Sequence, residues 1–117
     1  MVDNTTLRES ILNNNSLKSE SMHVDEWGVD IVIKEMTARQ RAEFEDMIQG
    51  DQDDKGVYFR GLLVVSTVHD AAGNQVFTAD DIDQLMEQSG GVIGRIAQKA
   101  LTLCGMSGDA IEEAEKN

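Results

Sequence analysis

No proline interrupts the 117 residues, one cysteine is present, and only five side chains are aromatic. The missing proline leaves long helical stretches open to the chain, because no residue lacks the backbone N–H that a helix interior needs. The single cysteine, Cys104, excludes a disulfide within the chain and a zinc site built from cysteines. Between Leu103 and Gly105 it reads as a small core residue near a helix end. With Trp27, Phe44, Tyr58, Phe59 and Phe77 the only aromatics, Leu, Ile, Val, Met and Ala must fill the interior, which suits helices. Basic residues are scarce as well: 10 Lys and Arg stand against 22 Asp and Glu, a net charge of −12. That balance disfavours nucleic acid, whose backbone is gripped by cations, and anionic membrane surfaces. It favours solubility. No apolar run approaches the roughly 18 residues of a membrane span, so none is expected. The start, MVDNTTLRES, has no basic region followed by an apolar run, so no secretory signal is expected and the cytoplasm is the default location.

The length fits one domain, with a real but thin core. The stretch 24–48 organises it. Val29, Ile31 and Ile33 alternate with Asp30, Val32 and Lys34, the period of a strand with one face on a core. Asp25-Glu26-Trp27-Gly28 supplies a turn before it, with Gly28 free to take a positive φ. Leu17 to Val24 reads as a weaker strand, so the two form an antiparallel hairpin that needs helices over its apolar face. Thr37-Ala-Arg-Gln40 is a capping box. It opens a helix to about Gln49 that carries Phe44, Met47 and Ile48 on one face and ends at Gly50.

Ahead of the hairpin, Thr5 or Thr6 is expected to cap a short helix with Leu7, Ile11 and Leu12 on one face, ended by Asn13-Asn14-Asn15-Ser16. Two turns of helix are marginal alone. This segment, 1–16, must dock on its own domain, a neighbouring subunit or a partner. Residues 50–56 read as an acidic, mobile loop. From Val57 to Val68 the β-branched residues suit a buried strand, while Tyr58, Gly61, Leu62, Val65 and Val68 fall at helical spacing. The spacing favours a buried helix, with the strand left open. Ala71-Ala-Gly-Asn74 is a turn and Gln75-Val-Phe77 a short extended piece. Thr78 caps the clearest helix signal, with Asp80 and Asp81 in its first turn, a Phe77–Ile82 staple and a stripe of Ile82, Leu85 and Met86. Ser89-Gly-Gly91 is expected to break it. A further helix, 92–103, presents Val92, Ile93, Ile96, Ala97, Ala100 and Leu103 and closes at Gly105. Ser107 can cap a last acidic helix. The fold expected is α+β and mostly helical: a small N-terminal β-hairpin packed against about four to six short helices.

The chemical motifs fail one by one. Asp51-x-Asp53-x-Lys55-Gly56 opens like a calcium loop, but Lys55 replaces an oxygen ligand and Leu62 stands where the bidentate Glu belongs. In the acidic stretch from Asp70 to Asp81, Gly73 is misplaced for that geometry. Gly90-Gly-Val-Ile-Gly-Arg95 lacks the Lys-Ser/Thr ending of a phosphate loop. His23 and His69, the two histidines, have neither HExxH spacing nor a nearby cysteine. A Cys104–His69 nucleophile pair stays open, with nothing positive to support it. Trp27 beside a turn reads as a packing residue rather than a ligand platform. No enzymatic activity, catalytic residue, metal or cofactor is expected.

Three stretches carry a resemblance: VDEWG with IKEMTARQRAEFE, then DAAGNQVFTADDIDQL, then LCGMSGDAIEEAEKN. In their order along the chain, from Thr5 to Asn117, they resemble the tail assembly chaperones of long-tailed bacteriophages. The specificity lies in that order, since none is a catalytic signature. The resemblance implies a mixed α/β, mostly helical, oligomer-forming protein of the host cytoplasm, absent from the mature virion. It implies that the chain binds the tape measure protein, keeps it soluble and helps recruit tail tube protein. The family has no catalytic residues to carry over. Leu7, Ile11 and Leu12 are the candidate partner or oligomer contacts, because an isolated amphipathic helix can hide an apolar stripe of a helical client. Chaperones of this kind are often also made in a longer, frameshifted form, and Glu115-Lys116-Asn117 is compatible with a slippery codon run. The alternatives are a head–tail joining or tail completion protein, which stays in the particle, and an acidic DNA mimic. Against the mimic, the carboxylates are scattered over several expected helices.

Overall fold

The computed structural model describes residues 4–14, 16–50 and 55–106. Helix α1, Asn4–Leu12, comes first, and then strands β1, Ser19–Val24, and β2, Val29–Lys34. Helices α2, Ala38–Ile48, and α3, Lys55–Thr67, lead into a two-residue strand β3, Val68–His69. A 3₁₀ turn, Ala79–Asp81, continues into α4, Ile82–Leu85, and α5, Gly90–Leu103, closes the described chain. The protein is α+β and mostly helical, as its pattern predicts.

The hairpin pairs as expected, antiparallel with Val24 opposite Val29 and Ser19 opposite Lys34. Gly28 takes φ 66° and donates to the Val24 carbonyl at 2.8 Å, closing the turn that positive φ makes accessible. The inner face is Met22 and Val24 on β1 with Ile31 and Ile33 on β2, and Val24 and Ile33 are sealed from water. Two strands alone would be marginal. A third, which sequence reasoning missed, pairs Val68 with Ile33 and His69 with Val32 and makes β2 the central strand. Two residues show no periodicity, so no pattern could announce it.

The capping box at α2 is present in both directions. The Thr37 hydroxyl accepts from the Gln40 N–H at 3.1 Å, and the Gln40 side-chain oxygen accepts from the Thr37 N–H at 2.8 Å. Such a cap is worth about 1 kcal/mol. Of the predicted stripe, Phe44 is buried and meets Phe59 of α3 edge to face at 5.3 Å, Ile48 is half-buried, and Met47 is exposed. The ambiguous stretch 57–68 is helical through Thr67. Leu62, Leu63, Val64 and Val65 are all buried in succession, so neighbours surround α3 on all sides. That is why its periodicity was weak. Thr67, buried among them, satisfies its hydroxyl by donating to the Leu63 carbonyl at 2.7 Å.

Four expectations are corrected at element ends. The first helix starts at Asn4, so Thr5 and Thr6 lie inside it rather than capping it. Of the loop expected over 50–56, residues 51–54 lie outside the described residues, and Lys55 and Gly56 already belong to α3. The segment after Thr78 is no long helix but a 3₁₀ turn and one α turn. Its apolar anchors, Ile82 and Leu85, span a single turn, and Glu87-Gln88 offers nothing to extend the stripe. Ser89-Gly-Gly91 does not break a helix but starts one: the Ser89 hydroxyl accepts from the Val92 N–H at 3.4 Å, and both glycines sit in the first turn of α5.

Helix α5 buries Val92, Ile93, Ile96, Ala97 and Ala100 as expected, and also Leu101, which the expected stripe omitted in favour of the half-buried Leu103. It ends in a Schellman turn. Gly105 at φ 69° follows the Cys104 cap, Met106 N–H donates to Leu101 at 2.9 Å, and Gly105 N–H donates to Thr102 at 3.2 Å. Ser107 and the acidic helix expected after it lie outside the described residues.

Two glycines in helices give opposite expectations for one substitution. A Cβ on Gly61 of α3 would lie 2.5 Å from Cγ2 of Ile82, whereas one on Gly94 of α5 would meet nothing within 4 Å. Alanine gains about 1 kcal/mol of helix propensity over glycine, but overpacking a filled core costs about 1–3 kcal/mol. Chemical denaturation should therefore show Gly61→Ala destabilised by up to about 2 kcal/mol net and Gly94→Ala stabilised by up to about 1 kcal/mol. Adding Ile82→Ala, which removes the crowding Cγ2, should make the double variant less destabilised than the sum of the two single changes.

The hairpin also carries a titrating clamp. His23 Nδ1 lies 2.6 Å from Asp30 Oδ1, and Nε2 lies 3.1 Å from Asp25 Oδ1. Both ring nitrogens can donate at once only in the protonated ring. The hydrogen bond to Asp30, followed by the charges of Asp30 and Asp25, raises the His23 pKa above its ordinary 6.5. A raised folded-state pKa makes this contribution to stability complete below pH 6.5 and lost as pH rises through the folded value. An NMR titration should place His23 above its ordinary value and show it fall back in Asp30→Asn. His23→Gln should remove that component from the pH dependence of unfolding.

Candidate functional site

The described surface holds several partly open apolar faces. Helix α1 is exposed throughout, and its three predicted contact residues, Leu7, Ile11 and Leu12, are 51%, 61% and 62% accessible. They line one shallow apolar concavity together with Arg8. The structure therefore brings the three together on one face, as their spacing predicts, and leaves that face uncovered. No other described element carries three exposed large apolar side chains in so short a span.

A second surface lies between the hairpin turn and the segment that runs from Phe77 into α4. Trp27, Phe77 and Leu85 line a groove of about 410 Å³ with Asp81, Gln84 and Gln88. Leu85 is buried, while Trp27 and Phe77 pack on the core and keep part of their rings open. Asp81 is held by accepting from the Thr78 N–H at 2.9 Å, which fixes its carboxylate. Sequence reasoning treated Trp27 as hairpin packing and Phe77 as a helix staple, and so missed that they line one groove. The available signal was that each aromatic lies within four residues of a pair of carboxylates in a connecting segment. A third concavity, of about 580 Å³, separates β1 from α5 at Met22, Gly91, Gly94 and Gln98. Arg95 and Lys99 cross it to Glu26 and Glu20 at 2.7 and 2.8 Å, surface pairs that solvent and salt screen.

These contacts shape the local charge. The Arg95 hydrogen bond is the largest of the causes that hold the Glu26 carboxyl below its ordinary range. Asp70 is lowered chiefly by the backbone N–H of Asn74, with that of Ala72 adding to it. Both donate to Oδ1 at 2.9 Å and shape the turn after β3. The groups considered for catalysis have structural places. His69 is buried with Nδ1 donating to the Thr67 carbonyl at 2.8 Å, and Cys104 caps α5, its carbonyl accepting from Arg41 at 3.2 Å. Among the described residues, no three His, Cys, Asp or Glu side chains gather where they could hold a metal ion. Asp51 and Asp53 of the calcium-like opening lie outside the described residues. No described helix is long and apolar enough to cross a membrane.

The fold has a solved counterpart. The structure of the bacteriophage HK97 tail assembly chaperone superimposes with a TM-score of 0.62, over 88% of this chain and 97% of that one, at 21% sequence identity. No curated protein matches the sequence. The family model described as phage tail assembly chaperone matches residues 6–117, almost the entire chain. With the α+β fold and its uncovered apolar helix, that match gives the assignment: the chain belongs to the phage tail assembly chaperone family.

Proposed function

We propose that this protein is a non-catalytic chaperone of the host cytoplasm, absent from the mature virion. It binds the tape measure protein, keeps it soluble and helps recruit tail tube subunits. The observation that carries the reading, beyond family membership, is the uncovered face of α1, with Leu7, Ile11 and Leu12 each at least half exposed. A long helical client has apolar stripes that aggregate when free, and a short amphipathic helix can cover part of one by packing against it. The same face also serves self-association, so client and sister subunit compete for it or share it. The net charge of −12 keeps the loaded complex dispersed.

Two measurements test this. A pull-down with the tagged chain from phage-producing cells, read by mass spectrometry, should recover the tape measure protein with tail tube subunits. Recovery of head or connector proteins instead would move the chain to a head–tail joining role. Replacing Leu7, Ile11 and Leu12 together by Ser removes several kcal/mol of potential apolar burial. It should lower client recovery or oligomer content by about tenfold or more while the helical circular dichroism of the body persists. Unchanged recovery and unchanged oligomer content would remove α1 from the contact surface.

A further inference from the structure

In the groove between the hairpin turn and the Phe77–Gln88 segment, two large aromatic side chains are left partly open beside a carboxylate held in place by the Thr78 N–H. At about 410 Å³ it is large enough for two or three side chains and too small for a whole helix. Its floor is apolar, from Trp27, Phe77 and Leu85, and Asp81, Gln84 and Gln88 complete its lining. The two segments that build it, 25–30 and 77–89, contain Asp25, Glu26, Asp30, Asp80, Asp81, Asp83 and Glu87 and neither Lys nor Arg. Arg95 reaches across from α5 and offsets Glu26, and His23, when protonated, lies against Asp25 and Asp30, so these two cations balance part of the charge on the hairpin side.

Charge decides among the occupants. A second copy brings its own net −12, so like charges meet across the groove. Segment 107–117 of the chain itself carries Asp109, Glu112, Glu113 and Glu115 against Lys116 alone, and is disfavoured for the same reason. Nucleic acid has the same sign. An apolar side chain flanked by Lys or Arg satisfies both parts of the groove: the apolar group covers Phe77 and Leu85, and the cation faces the Asp81 carboxylate and the ring of Trp27. We propose that this groove receives a short, positively charged apolar segment of the helical client, a contact separate from that of α1. The proposal rests on the client-binding reading and adds which part of the client is recognised.

Trp27 is the single tryptophan, so its emission reports on the groove directly. The full chain is titrated with overlapping synthetic peptides that tile the tape measure protein of the same phage, with Trp27 fluorescence and calorimetry as readouts. Peptides with Lys or Arg beside large apolar residues should shift the emission and bind more weakly as salt rises. The double substitution Gln84→Lys and Gln88→Lys places cations on exposed positions of the lining. It should weaken those peptides about tenfold without changing the unfolding midpoint, as expected for like charge added within a Debye length. The Leu7, Ile11, Leu12→Ser variant should keep the Trp27 response.

The outcomes separate the two readings. If full-length tape measure protein fails to bind at all, the client-binding reading falls. If it binds but no peptide moves Trp27, or the double substitution leaves affinity unchanged, the groove proposal is overturned and the broader reading stands. Equal response to acidic and basic peptides also overturns it. So does an emission change with protein concentration alone, which would place a second copy in the groove, or on removal of residues 107–117, which would place the chain's own end there.

Discussion

Leu63 and Val64 are neighbours on α3, and both are completely shielded from water, so this helix must be covered on more than one side. The other packed elements are arranged to meet that need. Helix α5 lays its stripe from Val92 to Leu101 on one side, α2 supplies Phe44 on another, and the β2 face closes a third. The remaining side is taken by the segment from Thr78 to Leu85, which approaches so closely that Ile82 sits where a Cβ of residue 61 would be. Fully burying one side chain of this size contributes about 1.5–3 kcal/mol, and most of that gain is concentrated on α3 and α5. The sheet is small because its task is limited: Ile31, Ile33 and Val68 provide one more apolar wall.

What the sequence made legible were features whose physics is local. A Thr-x-x-Gln box, a Gly in a four-residue turn and a Gly closing a helix each depend on a few consecutive residues, and all three stand in the structure. What escaped depends on distant partners. The strand Val68–His69 exists because β2 offers an edge, not because two residues prefer to extend. The helix after Thr78 stops after one α turn because buried Ile82 and Leu85 and half-buried Met86 are its last core contacts, and Glu87, Gln88 and Ser89 beyond them are exposed. Ser89 has the composition of a breaker and the geometry of a cap, and only the apolar face of α5 beyond it decides which. The site divides in the same way: the stripe of Leu7, Ile11 and Leu12 follows from helical spacing, whereas the sharing of one groove by Trp27 and Phe77, 50 positions apart in the numbering, is a product of the fold.

Membership of the tail assembly chaperone family sits well with how this chain distributes its apolar and acidic residues. A chaperone must present apolar surface to its client without presenting it to every other protein. Here the open apolar area is divided among a short helix and a shallow groove rather than gathered in one broad patch. The surrounding carboxylates repel other anionic macromolecules, nucleic acids among them.

Helix α1 has nine residues, exposed from Thr5 to Leu12, and is shorter than the roughly 12–15 residues an isolated helix needs to be stable in water. Its apolar stripe is therefore coherent only while the helix is formed, and its grip is weakened by the fraction of time it is not. Whatever covers that stripe also stabilises the helix, so folding of α1 and capture of a partner form one linked equilibrium. The same linkage makes the hold easy to dismantle. A competitor has only to fray two turns to release the whole stripe, and the body of the fold need not unfold with it.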